Sequence, residues 1–130
     1  MYKVTIADVA ELTEEVLKVE IDSEIPASSE ARSSNIVVTL TITGRVSYDS
    51  DKVFMKDSTK SIAEWSFLKP DSPDTYKAVT VEFDHTGTTR SYSLENAFCV
   101  SFHEGFEDQN GEFVLKVRQK KDRLDGVEVS

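Results

Sequence analysis

The sequence predicts a mainly β, antiparallel fold with one short helix. Apolar residues recur at every second position through most of the chain, which is typical of strands with one buried face. Only one stretch, about residues 58–69, changes to helical spacing. With 130 residues, 38% of them hydrophobic, the chain is long enough for one core, so we expect a single domain over residues 1–130.

Period-two segments predict the strands of the first half. The alternating apolar positions are Tyr2, Val4 and Ile6, then Leu17, Val19 and Ile21, and then Ile36, Val38, Leu40 and Ile42. β-Branched residues fill the last segment, as a half-buried pleated surface favours. Between the second and third segments lies Asp22–Ser34, which is small, polar and rich in serine. We expect residues 22–34 to form a long loop with a functional role or high mobility.

Two hairpins are predicted in the second half. Val79, Val81 and Phe83 precede a tight turn at residues 85–88, which leads into another strand. The next alternation places Phe98, Val100 and Phe102 on one face, and Ala97, Cys99, Ser101 and His103 on the other. Asn110–Gly111 is the expected second turn because both residues tolerate a positive φ. Phe113, Leu115 and Val117 follow it, giving six to eight strands in all.

The helical segment has a start and a stop signal. Ser61 and Glu64 have the spacing of a capping box, although Asp57 or Ser58 is an alternative N-cap one turn earlier. Pro70 stops the helix.

One face of this segment is apolar. Ile62 and Trp65 share a stripe with Lys69, and Ala63 and Leu68 lie beside it. We expect Ile62, Trp65 and Leu68 to pack on a face or opening of a barrel or sandwich.

Charge is unevenly distributed along the chain. The net charge is −9, which disfavours nucleic-acid binding by phosphate neutralisation. Residues 7–30 contain eight acids and one base, whereas residues 116–123 contain five bases and one acid. These segments are either two solvated strand faces or surfaces through which copies of the chain attract each other.

The residues for catalysis are scarce, so no enzyme is expected. Cys99 and His103 are too far apart on one strand for a nucleophile–base pair, and only strand pairing would bring His85 to Cys99. We expect Cys99 to be a small buried residue, in a chain that folds in a reducing compartment. No zinc ligand set and no other cofactor are indicated.

Calcium is the main alternative for a bound ligand. The candidate carboxylates are Asp49, Asp51 and Asp57 before the helix and Asp71 and Asp74 after it. Carboxylates on neighbouring loops of a sandwich can bind Ca²⁺. Since the first group is interleaved with lysines, solvated turns are the other interpretation.

The order of elements resembles a known family. The segments that match are Ile36–Val46 followed by Ser58–Leu68, then Tyr76–Phe83, then Tyr92–Phe102 and finally Gly111–Lys120. A strand, one helix, a strand with a tight turn and a long closing hairpin in this order resemble the phage tail-tube family, which includes the haemolysin-coregulated protein (Hcp) of type VI secretion.

The resemblance implies a fold and a role. It implies an antiparallel β-barrel with one short flanking helix, and a structural protein of a phage tail or contractile injection system. Copies would form homohexameric rings that stack into a tube for DNA or protein. The implied partners are other copies, with sheath and baseplate proteins. From the sequence itself, the net charge of −9 disfavours specific nucleic-acid binding, and no apolar run approaches the roughly 20 residues needed to cross a membrane. Assembly is expected in the cytoplasm and the product in a phage-like tail particle or virion.

The same resemblance suggests subunit contacts. In that family the loop between the second and third strands reaches neighbouring subunits, and residues 22–34 occupy its place. The expected contact residues are Glu24, Ile25, Pro26 and Arg32 in the loop, and Lys120, Lys121 and Arg123 at the basic end. The alternative function is a monomeric calcium- or ligand-binding β-sandwich.

Overall fold

A single antiparallel sheet makes up most of the described chain. The computed structural model describes residues 2–24, 37–46, 58–68, 72, 74–107, 110–120 and 127–130. Within them, the elements are β1 Tyr2–Ile6, β2 Ala10–Leu12, β3 Val16–Glu24, β4 Val37–Arg45, α1 Ser58–Ser66, β5 Lys77–His85, β6 Thr88–Glu107, β7 Asn110–Gln119 and β8 Val127–Val129. The predicted mainly β fold with one short flanking helix is confirmed.

The long strand β6 joins two halves of the sheet. The strand order is β2-β1-β5-β6-β7-β4-β3, and β8 pairs with β6. The first half of β6 pairs with β5 and its second half with β7. β3 passes close to β1, although no ladder joins these two strands in the described part of the chain. The two halves therefore enclose one core and leave a seam between β1 and β3.

The core-facing side of the sheet follows the apolar alternation. The fully buried residues of the described sheet are Val4, Ile6, Leu12, Leu40, Ile42, Val79, Leu94, Ala97, Phe113, Leu115 and Val117, and Ile62 of the helix is buried with them. The predicted faces of β4 and β7 are confirmed, since cross-strand pairs such as Ile42 with Leu115 are buried together. Ile36 lies outside the described residues.

The helix is attached to the sheet by Trp65 and Ile62. Both are buried, and the Trp65 Nε1 donates a hydrogen bond to the carbonyl of Thr75, 3.1 Å away. The core role predicted for these two residues is confirmed. It is wrong for Leu68, which is 38% exposed because it follows the end of the helix. No helix in the described residues is long and apolar enough to span a membrane.

The helix starts where the predicted range 58–69 starts, but it ends three residues earlier. The helix begins at Ser58, so Ser61 lies inside it and the capping box with Glu64 is wrong. The alternative start one turn earlier agrees with the structure, although Asp57 lies outside the described residues. The helix ends at Ser66, where Phe67 N donates to the Glu64 carbonyl at 3.2 Å and tightens the last turn.

A bulge in β6 overturns the predicted face of its aromatic residues. The register shifts between Cys99 and Ser101, so an extra residue, Val100, reverses the alternation. Phe98 pairs with Arg118 on the outer face, whereas Phe102 pairs with a buried core residue. The prediction that Phe98, Val100 and Phe102 share one face is therefore wrong.

A second bulge affects β3. The register shifts between Val16 and Lys18, and Leu17 is 40% exposed while Val16 is buried. Val19 and Ile21 keep their predicted orientation and pack against the core. β3 also continues to Glu24, so residues 22–24 are strand, and the remainder of the predicted loop lies outside the described residues.

One of the two predicted hairpin turns is confirmed and the position of the other is wrong. The first is confirmed: Thr86 and Gly87 have φ values of 47° and 82° between β5 and β6. The second turn is misplaced, because Asn110 and Gly111 already pair with Glu107 and Phe106 as part of β7. A Cβ on Gly111 would lie 2.9 Å from the Phe106 ring, so close packing explains this glycine.

Candidate assembly surface

Two long strand edges are open in the described part of the chain. β3 pairs only with β4, and β6 from Phe98 to Glu107 pairs only with β7. These edges lie on opposite sides of the four-strand segment β6-β7-β4-β3. Because unpaired N–H and C=O groups on such edges bind further strands, each edge is a surface for strand addition.

The outer face of this four-strand segment separates acids from bases. Cross-strand partners project to the same side, and the register gives two rows, Glu20–Thr41–Lys116 and Asp22–Thr39–Arg118. The acids lie on β3 and the bases on β7, with a threonine of β4 between them. Two strand spacings separate them by roughly 10 Å. Glu20 and Asp22 thus form an acidic stripe on β3, and Lys116 and Arg118 form a parallel basic stripe on β7, on one face of the sheet.

The described residues form no ion pair between the two stripes. Arg118 donates from Nε to Thr39 Oγ1 at 3.2 Å, and Glu20 pairs with Lys18 of its own strand at 3.2 Å. Asp22 and Lys116 are both exposed. Both stripes therefore remain accessible to another molecule.

Two of the predicted contact residues are described, and they lie at the same end of the sheet. Glu24 is exposed and pairs with Val37 at the end of β3. Lys120 follows β7, donates its backbone N–H to the Asn96 carbonyl at 2.8 Å, and holds its ammonium 5.1 Å from the Tyr76 ring centroid. Their role as subunit contacts stays a prediction.

The other predicted contact residues, Ile25, Pro26, Arg32, Lys121 and Arg123, lie outside the described residues. Asp22, Thr39 and Arg118 lie side by side on β3, β4 and β7. Glu24 follows Asp22 by two residues and Lys120 follows Arg118 by two residues, so Glu24 and Lys120 are also two strands apart. Acidic and basic residues of one copy thus lie on the same face two strands apart, which distance along the sequence does not reveal.

A cavity of about 250 Å³ opens at the seam between β1 and β3. Its lining residues are Tyr2, Val19, Ile21, Val81, Phe83, Arg90 and Tyr92. The Tyr2 and Phe83 rings contact each other with centroids 5.1 Å apart. No local sequence pattern marks this cavity, because its walls come from four strands that are distant in sequence.

The structure separates the candidate catalytic residues. His85 pairs with Thr88 at the start of β6, whereas Cys99 lies past the middle of that strand. The bulge after Cys99 puts His103 on the opposite face, beside Val114. Burial raises the pKa of the Cys99 thiol, which disfavours the reactive thiolate.

Most of the carboxylates proposed as calcium ligands belong to residues that the structure does not describe. Asp49, Asp51, Asp57 and Asp71 lie outside the described residues. Asp74 is described, and its carboxylate lies 3.7 Å from the Lys77 ammonium. Among the residues that are described, no three His, Cys, Asp or Glu side chains come together as a metal site.

Comparisons with known proteins find likeness in structure. No protein-family model matches the sequence, and no curated protein matches it. Hcp1 from Flavobacterium johnsoniae is 14% identical with a TM-score of 0.54, over 91% of this chain and 89% of that one. A type six secretion system protein is 11% identical with a TM-score of 0.59, over 92% and 78%.

A chain from the sheath–tube complex of an extracellular contractile injection system, PVC, gives the same result. It is 11% identical with a TM-score of 0.56, over 99% of this chain and 87% of that one. At this identity the likeness is one of fold. The resemblance to the tail-tube family is thus confirmed as shared architecture: the chain has the β-rich, one-helix fold of the Hcp-like tube proteins.

Proposed function

We propose that the chain is a self-assembling structural subunit of a hollow tube in a phage tail or contractile injection system. The observation that carries the proposal is the fold likeness to Hcp1 and to a sheath–tube complex, which extends over nearly the whole chain. Hexameric rings stack into a conduit for DNA or protein. The protein acts by assembly, and not as an enzyme.

The open edges support ring formation. A β3 edge on one copy and a β6 edge on the next are different surfaces, so their contact is heterologous. Heterologous contacts close into rings when the rotation between copies divides a full turn. Joining the edges also satisfies backbone groups that are open along residues 18–24 and 98–107.

The proposal includes partners and a location. One domain over residues 1–130 forms the tube wall, and sheath and baseplate proteins contact the assembled tube. A net charge of −9 disfavours adsorption of nucleic acid on the wall. Assembly takes place in the cytoplasm, and the product is part of a phage-like tail particle.

The test is the solution mass over a concentration series, measured by light scattering after size exclusion, with negative-stain imaging of the large fraction. We expect a species six times the 14.6 kDa chain, and tubes at higher concentration. A constant monomer mass at every concentration contradicts the proposal. Calcium-dependent thermal stabilisation of that monomer would instead indicate the calcium-binding alternative.

A further inference from the structure

The seam cavity and one exposed aromatic residue lie at opposite edges of the same four-strand segment. The cavity opens beside the core-facing residues of β3, Val19 and Ile21. Phe106 is 58% exposed, near the end of β6. Phe102 pairs with the buried Leu115 and therefore faces the core. Because side chains of a strand point to the same side at every second residue, Phe106 faces the same side as Phe102.

We propose that the seam cavity is a socket for Phe106 of a second copy of this chain. The inference rests on the proposed function, because edge-to-edge addition is what brings β6 of one copy beside β3 of the next. In that arrangement the core-facing residues of β6 from one copy and of β3 from the next lie on the same side of the joined sheet, where the cavity opens. Among the described residues on that side of the β6 edge, Phe106 is the large apolar residue that is mostly exposed, whereas Phe102 is half-buried.

Size and surroundings favour an aromatic occupant. A cavity of about 150 Å³ is enough to bind benzene, so the seam cavity of about 250 Å³ has room for a phenyl ring. Tyr2, Phe83 and Tyr92 line it, and aromatic rings prefer offset or edge contacts with one another. The Phe106 ring packs over Gly111, where an added Cβ would lie 2.9 Å from it, and the residue is still 58% exposed.

The charges of Arg90 in the cavity and Glu104 beside Phe106 also favour a second copy of the chain as the partner. Arg90 lines the cavity, and no carboxylate among the described residues forms an ion pair with it. Glu104 precedes Phe106 by two residues, so it projects from the same side of β6. When Phe106 of one copy enters the cavity, Glu104 of that copy lies near Arg90 of the other.

The first test compares assembly of full-length variants by light scattering over a concentration series. Phe106→Ala and Arg90→Glu should each raise the half-assembly concentration about tenfold or more, since central aromatic and arginine residues dominate interfaces. Arg90→Glu combined with Glu104→Arg should recover most of that loss. The control is Glu112→Arg, an exposed position on the outer face of the same hairpin, which should assemble like wild type.

Two results separate the two proposals. If wild type assembles and both single variants assemble equally well, the socket is overturned and the tube function stands. If wild type remains monomeric at every concentration, both are overturned. Thermal unfolding of each variant below its assembly concentration must match wild type. If a variant fails this check, the cross-linking test decides.

That test uses two singly substituted populations in a Cys99→Ser background. One carries Phe106→Cys and the other Val19→Cys, so a disulfide between the two populations joins different copies. We expect a mixed dimer on non-reducing gels. Glu112→Cys mixed with Val19→Cys is the control, and equal yields from both mixtures would overturn the socket.

Discussion

Arg118 donates a hydrogen bond from Nε to the Oγ1 of Thr39 on the neighbouring strand, 3.2 Å away, and does not pair with Asp22 one strand further on. This contact ties β4 to β7 on the outer face. It also leaves the acidic stripe of β3 and the basic stripe of β7 separate. The outer face of the sheet is therefore negatively charged along β3 and positively charged along β7.

Replacing Thr39 by valine should lower the free energy of unfolding by about 1 kcal/mol, because it removes the acceptor for the Arg118 guanidinium. Urea denaturation gives the measurement. Thr41→Val is the matched control, since Thr41 is half-buried on the same face of β4 and faces Lys116. Equal losses for the two variants would contradict the role assigned to this hydrogen bond.

Replacing Gly44 by alanine should destabilise the fold by about 2–3 kcal/mol, through overpacking. The added Cβ would lie 2.6 Å from the Phe113 ring and 2.8 Å from the Glu15 carbonyl oxygen. Gly105→Ala is the control, because the nearest atom to its Cβ is the His103 Nε2 at 3.7 Å. Thermal unfolding of the two variants should differ clearly, and similar midpoints would refute the packing explanation.

Replacing Trp65 by phenylalanine should lower stability by about 1–3 kcal/mol, because the Thr75 carbonyl loses its donor while most of the apolar contact remains. Circular dichroism in urea is the suitable readout, since Trp65 is the only tryptophan. Phe67→Leu, at a position that is 83% exposed, should leave the unfolding midpoint unchanged. An unchanged midpoint for Trp65→Phe would show that the hydrogen bond is not needed.

Stability should fall at alkaline pH because of Cys99. Burial raises the pKa of its thiol, so the folded chain keeps the proton at pH values where the unfolded chain loses it. The contribution is present below the ordinary thiol pKa of about 8.5 and is lost as pH rises towards the folded value. Between pH 7 and 10, wild type should lose more stability than Cys99→Ala. Parallel pH profiles would contradict this.

Reversing charge at the basic end should weaken assembly if acidic and basic segments meet between copies. The double variant Lys120→Glu, Lys121→Glu should raise the half-assembly concentration in light scattering, and added salt should reduce the difference from wild type. Lys3→Glu, on β1 and paired with Glu11, is the control. Assembly of the double variant at the wild-type concentration would argue against this contact.

Local patterns in the sequence predicted most elements of the fold. Strands β1, β4, β5 and β7 have regular alternation because one face of each is buried. The bulges at Leu17 and Val100 were not predictable, because they depend on how each strand pairs with its neighbour. The turn predicted at Asn110–Gly111 was wrong because Gly111 lies in β7, where the absence of a side chain leaves room for the Phe106 ring.

The sequence by itself determined the β-rich class, the short helix that contains Trp65, the turn at Thr86–Gly87 and the segregation of acids from bases. These depend on residue type and short-range spacing, which act through backbone preferences and burial. Only the tertiary structure decided that the acidic and basic stripes share one face, and that Arg90 lines a cavity with residues from β1 and β3. Such juxtapositions arise from strand order and register, because pairing brings together residues that are far apart along the chain.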